Sequence, residues 1–92
     1  MLFGGFTGGV GISLNDTWTF NGTSWTQVPV SNSPPARGGA AMATLGNEVV
    51  LFGGYSLGFL NDTWTFDGTS WSQVPVSKPP PARSGGTMAT LP

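Results

Sequence analysis

Four carboxylates are the only acidic side chains in this 92-residue sequence: Asp16, Glu48, Asp62 and Asp67. Two carboxylates on opposite sides of a glycosidic bond could hydrolyse it, but nothing in the sequence places any two of these side chains close together. Asp67 aligns with Asn21 in an internal repeat. This pairing indicates that the position needs a hydrogen-bond acceptor rather than a charge, and we expect Asp16 and Asp62 to cap backbone amides at strand starts.

The sequence contains no cysteine and no histidine. These absences exclude thiol nucleophiles, disulfides, Cys/His zinc sites and imidazole acid–base chemistry. The formal net charge of −1 gives no electrostatic reason to expect a nucleic-acid or anionic-membrane partner. No membrane-spanning apolar run and no secretory signal are recognised in the sequence. We therefore predict a soluble, non-enzymatic protein without metal or cofactor, and the cellular compartment stays open.

Two near-identical copies of one repeat make up the chain. Asn15–Leu45 and Asn61–Leu91 lie 46 positions apart and agree at 24 of 31 aligned positions. The Leu-Phe-Gly-Gly segments 2–5 and 51–54 are offset by 49, which places three extra residues in the loop 6–14. Repeat folds tolerate insertions that are confined to one loop.

Short runs of β-branched and aromatic residues alternate with glycine, proline and asparagine turns. In the complete copy the predicted strands are Gly39–Leu45, Glu48–Phe52, Asp62–Phe66 and Trp71–Val76. Asn21-Gly22 and Asp67-Gly68 predict tight hairpins, because these residue types accept positive φ at low cost. No segment holds a helical period for ten residues. The sequence thus predicts an all-β fold made of four-stranded units.

These motifs resemble the kelch repeat, in which a double glycine follows an apolar strand and a tryptophan follows a later turn. The double glycines are Gly4-Gly5 and Gly53-Gly54. The aromatic positions are Trp18, Phe20 and Trp25 in one copy and Trp64, Phe66 and Trp71 in the other. The resemblance covers essentially the whole chain. It implies a kelch-type β-propeller with one four-stranded blade per repeat and these aromatic side chains packed between blades.

The chain is cut differently from the blades that the resemblance implies. Residues 1–30 correspond to strands b, c and d of a first blade, residues 37–76 to a complete blade, and residues 83–92 to an additional inner strand a. That strand and the incomplete blade cannot meet within one chain, so we expect copies to complete each other head to tail. Propellers have about 4–8 blades. With two four-stranded blades per chain and six blades common in kelch rings, we predict a homotrimer in preference to a dimer or tetramer.

Two arginines, Arg37 and Arg83, begin strand a in this scheme, at the end that faces the channel mouth of kelch propellers. A ring of such arginines would form an anion-attracting funnel. In the alternative interpretation each arginine hydrogen-bonds loop carbonyls, or pairs with Asp16 or Asp62 of a nearby blade. Both interpretations stay open at the level of sequence.

Phe6, Tyr55 and Phe59 are predicted to lie in the loops between strands b and c, outside the repeated core pattern, and are candidate binding residues. We predict a non-catalytic, self-assembling propeller module that binds a ligand or protein through its loop face or channel mouth. One alternative is a small oligomeric sugar-binding lectin that uses these three aromatic side chains. Another is a fragment of a larger kelch protein or a designed repeat protein.

Overall fold

A computed structural model describes residues 1–7 and 12–91 of the chain, and every regular element in these ranges is a β-strand. The strands are β1 (Leu2–Phe6), β2 (Ser13–Phe20), β3 (Trp25–Gln27), β4 (Ala41–Leu45), β5 (Glu48–Tyr55), β6 (Phe59–Phe66) and β7 (Trp71–Val74). No helix that could cross a bilayer is found in the described ranges. The predicted loop 6–14 lies partly outside them.

These strands form two antiparallel sheets. The first has the order β1-β2-β3 and the second the order β4-β5-β6-β7. Each strand therefore pairs with its neighbour in sequence, as expected where short turns connect consecutive strands. The prediction of an all-β fold is confirmed, and the second sheet has the four-stranded meander of one propeller blade. We call the two sheets the first and second blade.

The double glycines bend their strands instead of ending them. β5 extends to Tyr55, beyond the predicted end at Phe52, because pairing with β6 resumes after a register shift between Phe52 and Gly54. Gly53 at this bulge has a φ of 71°. A bulge of this kind inserts an extra residue and increases the local twist. The same shift occurs in β1, between Phe3 and Gly5.

This extension corrects the expected position of the loop aromatics. Phe6 ends β1, Tyr55 ends β5 and Phe59 begins β6, so all three belong to strands beside the loops. In contrast, β4 begins at Ala41 rather than Gly39, whose φ of 70° is incompatible with a strand. β7 also ends earlier than predicted, two residues before Val76.

Close backbone approach explains why the bulge needs glycine. A Cβ atom on Gly53 would lie 2.6 Å from the carbonyl oxygen of Arg83, and one on Gly4 would lie 2.6 Å from that of Arg37. The following glycine donates its amide to the same carbonyl, with Gly54 N to Arg83 O at 2.8 Å. A side chain at either position would separate the bulge from the residue that starts the next repeat.

The core lies between the two blades and is centred on Trp71. The Trp71 ring lies 5.2 Å from the Phe3 ring of the first blade and 5.0 Å from the Phe66 ring of its own blade. Its indole Nε1 donates to Thr17 Oγ1 of the first blade at 3.0 Å. Leu51 completes the buried cluster. We call this contact the formed interface.

Residues 84–91 run beside β4 without forming a strand. Gly85 N donates to Gly39 O at 2.8 Å, and the Thr90 hydroxyl donates to the Thr44 carbonyl. Each contact joins two residues that are 46 positions apart, so equivalent repeat positions lie side by side. This segment, which we call the C-terminal segment, is exposed along its length.

Candidate functional site

Arg37 lies inside the protein. Its side chain is 1% exposed, and its guanidinium donates to both carboxylate oxygens of Asp62, from Nη1 to Oδ1 at 2.6 Å and from Nη2 to Oδ2 at 2.8 Å. Nη1 also donates to Gly53 O and Nε donates to Pro35 O, each at 3.1 Å. For Arg37 the structure therefore agrees with the second interpretation, in which the arginine hydrogen-bonds loop carbonyls and pairs with Asp62.

The aspartate in each Asn-Asp-Thr-Trp motif accepts hydrogen bonds chiefly from side chains. Trp64 Nε1 donates to Asp62 Oδ2 at 2.8 Å, and Trp18 Nε1 donates to Asp16 Oδ2 at 2.6 Å. Residues two apart on a strand point to the same face, which makes this bond possible. The expectation that the two aspartates mainly cap backbone amides was wrong, since tryptophan and arginine side chains are their main partners.

Electrostatics favours the ionised form of Asp62. Partial burial acts to raise the pKa of this carboxyl group, but hydrogen bonds from Arg37 and Trp64 and the nearby guanidinium charge outweigh it. The pKa of Asp62 is therefore held below its ordinary value of 3.8. A carboxylate that accepts charged hydrogen bonds in a partly buried site is stabilised in this way.

The repeat counterparts of Arg37 and Asp62 do not form an ion pair in the described part of the chain. Arg83, the counterpart of Arg37, is exposed and donates from Nε to Pro81 O at 3.1 Å. Asp16, the counterpart of Asp62, has a buried Oδ1 atom that accepts no hydrogen bond from the described residues. The described residues therefore contain one copy of this ion pair, Arg37 with Asp62.

The aromatic positions show the same division between copies. Trp71 is 1% exposed and Phe66 is 4% exposed, whereas Trp25 is 51% exposed and Phe20 is 49% exposed. Phe20 and Trp25 still contact each other, with ring centroids 5.0 Å apart. The predicted inter-blade role is realised for the second copy. We call Phe20 and Trp25 the open aromatic face of the first blade.

A pocket opens on the other side of the molecule, on the face of the second blade away from the first. It has a volume of about 470 Å³, and its lining includes Phe52, Thr63, Pro80, Arg83 and Met88. Phe52 and Thr63 are the repeat counterparts of Phe3 and Thr17, the two first-blade residues that contact Trp71. We call this cavity the open pocket.

Exposed apolar side chains cluster at the tip of the β5–β6 hairpin. Tyr55 and Phe59 pack edge to face with ring centroids 5.3 Å apart, and Leu57 between them is 98% exposed. The Phe6 ring covers Gly38, whose backbone pairs with Tyr55 through two hydrogen bonds. The structure therefore brings the three predicted aromatic residues to one loop region. We call these residues, with Leu57, the loop patch.

Leu57, which was not predicted from the sequence, has a φ of 65°. Positive φ is uncommon for a residue with a branched side chain and is costly. A hydrogen bond from Ser56 N to Gly58 O, at 3.0 Å, closes the turn around this residue. The available signal was an apolar residue placed between serine and glycine in a turn, where polar residues are usual.

Comparison with known proteins agrees with this architecture. Residues 1–92 match the family model described as the KLHDC2/KLHL20/DRC7 Kelch-repeats domain. No curated protein shows significant sequence similarity to the chain. The match spans both repeats, including the bulged double glycines and the paired Arg37 and Asp62. The chain therefore belongs to the kelch-repeat family.

Proposed function

We propose that this protein is a non-catalytic, protein-binding propeller module whose ring is completed by copies of the same chain. Kelch-repeat domains are in general non-catalytic scaffolds that bind other proteins. One observation supports self-assembly above all. The chain contains one formed interface between blades and, on its outer faces, both halves of a second interface built from the same residue types.

The physical reason to assemble is the burial of these two outer faces. The open aromatic face exposes about half of each ring, and the open pocket leaves Phe52 and Met88 accessible. Burial of apolar surface contributes about 25 cal/mol per Å². A single blade cannot bury both of its faces, so repeat units are stable only when stacked. Two further blades, one packed on each outer face, would bury both faces.

We propose six blades, formed by three chains. Two blades per chain allow rings of four, six or eight within the usual range of about 4–8 blades. The head-to-tail contact uses two different surfaces, and such a contact makes a ring when the rotation closes. Six matches a common kelch ring size and therefore favours the trimer over the dimer and the tetramer.

Solution mass tests the assembly. Light scattering on the intact chain should give about three times the 9.5 kDa chain mass. Removal of residues 83–92 should abolish the ring, because the C-terminal segment then cannot complete the first blade of the next copy. A mass of two or four chains would refute the six-blade count. A folded monomer at every concentration would refute self-assembly and would point to further repeats supplied within a longer chain.

The loop patch is the proposed surface for a protein partner. It presents exposed Tyr55, Leu57 and Phe59 on one hairpin, held by the strands of the second blade. Exposed apolar patches on a rigid scaffold are typical of protein interaction sites. In the assembled ring the patch would recur once in each chain, which would give one partner several contacts.

Selection of peptides from a displayed library tests this surface. Binding of the selected peptides should fall at least about tenfold in Leu57→Ser, because truncation of an exposed anchor removes its contact area. Leu45→Ser is the matched control, since Leu45 is 63% exposed and adjoins the opposite end of β5. Equal loss in both variants would refute the loop patch. Glycan-array binding that disappears in Tyr55→Ala would favour the lectin alternative instead.

A further inference from the structure

We infer that the open pocket of one copy receives the open aromatic face of the next copy, and that Arg83 pairs with Asp16 across this contact. This inference rests on the proposed self-assembly and names the groups that hold it together. The occupant of the open pocket is a second copy of the chain, because the chain itself carries the aromatic and acidic side chains that complement this pocket. Three features of the chain support this contact: the aromatic side chains, the unpaired charged groups and the C-terminal segment.

The aromatic contact follows from the formed interface. There, Trp71 of the second blade packs on Phe3 and donates to the Thr17 hydroxyl. The open pocket offers Phe52 and Thr63 at the equivalent positions. Trp25 is the repeat counterpart of Trp71, so Trp25 of the next copy has the shape and the indole N–H for this pocket. The exposed ring of Trp25 would then become buried, and its indole N–H would donate a hydrogen bond to the Thr63 hydroxyl.

The ion pair follows from charge complementarity. The backbone of Arg37 hydrogen-bonds Gly5 and Leu14 of the first blade, and its side chain makes a two-pronged contact with Asp62 of the second blade. Arg83 lines the open pocket and makes no ion pair among the described residues. Asp16 already accepts the indole N–H of Trp18 through Oδ2, and its buried Oδ1 lacks a donor in the described part of the chain.

That orphaned oxygen identifies the kind of group that is missing. Buried polar atoms are nearly always hydrogen-bonded in native proteins. In the second blade the equivalent oxygen, Asp62 Oδ1, accepts from Nη1 of Arg37 at 2.6 Å. A guanidinium is therefore the donor expected at Asp16, and Arg83 of the preceding copy supplies it from the equivalent repeat position.

The strand contact also joins the C-terminal side of one copy to the N-terminal side of the next. In the second blade β4 pairs with β5, and Met42 lies opposite Leu51. The counterparts of these residues are Met88 in the C-terminal segment and Leu2 in β1. Leu2 is 44% exposed while Leu51 is fully buried. The segment would therefore lie beside β1 of the next copy and pair Met88 with Leu2.

All three contacts join the C-terminal side of one copy to the N-terminal side of the next. Such a contact is heterologous, and its repetition gives a ring when the rotation closes and an open filament when it does not. Failure of the ion pair or of the strand contact can be distinguished by experiment from failure of self-assembly itself.

A double-mutant cycle tests the ion pair. Asp16→Asn, Arg83→Gln and the double variant are compared with the original chain by sedimentation over a dilution series. Each single variant should raise the concentration at which the ring dissociates by about thirtyfold or more, because it leaves one charged group buried and unpaired. The double variant should be no worse than the poorer single variant, since both partners of one contact are gone.

Asp67→Asn is the matched control. It makes the same chemical change at an exposed turn where the other repeat already has Asn21, and it should leave the dissociation concentration unchanged. Additive effects in the cycle would overturn the ion pair while the assembly stands. A chain that stays monomeric at every concentration would overturn the assembly, and the pair with it.

A cross-link tests the direction of the contact without relying on affinity. The sequence has no cysteine, so Leu2→Cys and Met88→Cys chains each carry one thiol. Mixed under oxidising conditions, they should form a disulfide-linked dimer that contains one chain of each kind. Paired residues on neighbouring strands lie within the separation that a disulfide bridges. Equal yields from either chain alone would refute the head-to-tail register.

Discussion

The two repeats have nearly the same sequence and very different surroundings. Trp71 is almost completely buried and Trp25 is half exposed, although both follow the same Gly-Thr-Ser turn. Arg37 forms an ion pair with Asp62, whereas their counterparts Arg83 and Asp16 remain apart. The difference arises because the two blades pack on each other through one face each, while their outer faces have no neighbouring blade among residues 1–7 and 12–91.

This comparison teaches that the repeat encodes the two sides of an interface separately. At the formed interface one repeat supplies Trp71, and the other supplies Phe3 and Thr17, which contact it. The described part of the chain makes one such pairing and leaves the open aromatic face and the open pocket uncovered. The energetic consequence of a substitution should therefore depend on the copy in which it is made.

The largest expected difference lies between the two tryptophans. Trp71→Ala should lower the free energy of unfolding by about 3–5 kcal/mol, because it empties the centre of the core. Trp25→Ala should cost less than about 1 kcal/mol while the chain is monomeric. Urea denaturation at low protein concentration measures both. At concentrations where rings form, the two costs should converge, and a persistent difference there would contradict the shared interface.

The arginines give the next largest difference. Arg37→Gln should destabilise the monomeric chain by about 2–3 kcal/mol, because it leaves Asp62 in a partly buried site without its cation. Arg83→Gln should change the unfolding free energy by no more than about 0.5 kcal/mol, as expected for an exposed side chain. Thermal unfolding of the two variants side by side measures this contrast. Equal destabilisation would show that Arg83 is already paired in the single chain.

The second glycine of each pair gives a smaller contrast. Gly5 and Gly54 both have a φ of 109°, so alanine is strained at either position. A Cβ atom on Gly54 would also lie 2.9 Å from Gly38 O, while one on Gly5 meets nothing within 4 Å among the described residues. Gly54→Ala should therefore cost about 1 kcal/mol more than Gly5→Ala. Chemical denaturation of the two variants provides the measurement.

The smallest expected effect is the contribution of the Arg37–Asp62 pair to the pH dependence of stability. The folded-state pKa of Asp62 is lowered, so its stabilising contribution is fully present above its ordinary value of 3.8 and is lost as pH falls through the lower folded value. The melting temperature should thus decrease less steeply below about pH 4 in Asp62→Asn. Arg37→Gln should show the same shallower slope, and an unchanged slope in both would contradict the assignment.

Local features were predictable because neighbouring residues determine them. The Oδ1 atoms of Asn21 and Asp67 each accept hydrogen bonds from two backbone amides of their turns, with N···O distances of 2.8–2.9 Å. These bonds agree with the predicted need for an acceptor at this position. The positions of the double glycines were predictable in the same way, from the repeated Leu-Phe-Gly-Gly segment. The bulge was missed, because resumed pairing after Gly53 depends on β6 and on the approach of Arg83.

The sequence by itself determined the repeat, the strand-and-turn order of each copy and the residue types of an inter-blade contact. Only the tertiary structure decided which copy of that contact is made. It buried Arg37 and exposed Arg83, and it brought the Phe6 ring of the first blade onto Gly38, beside Tyr55. The physical reason is that backbone conformation follows from local residues, whereas burial and charge pairing require a neighbour, and identical repeats in one chain do not have identical neighbours.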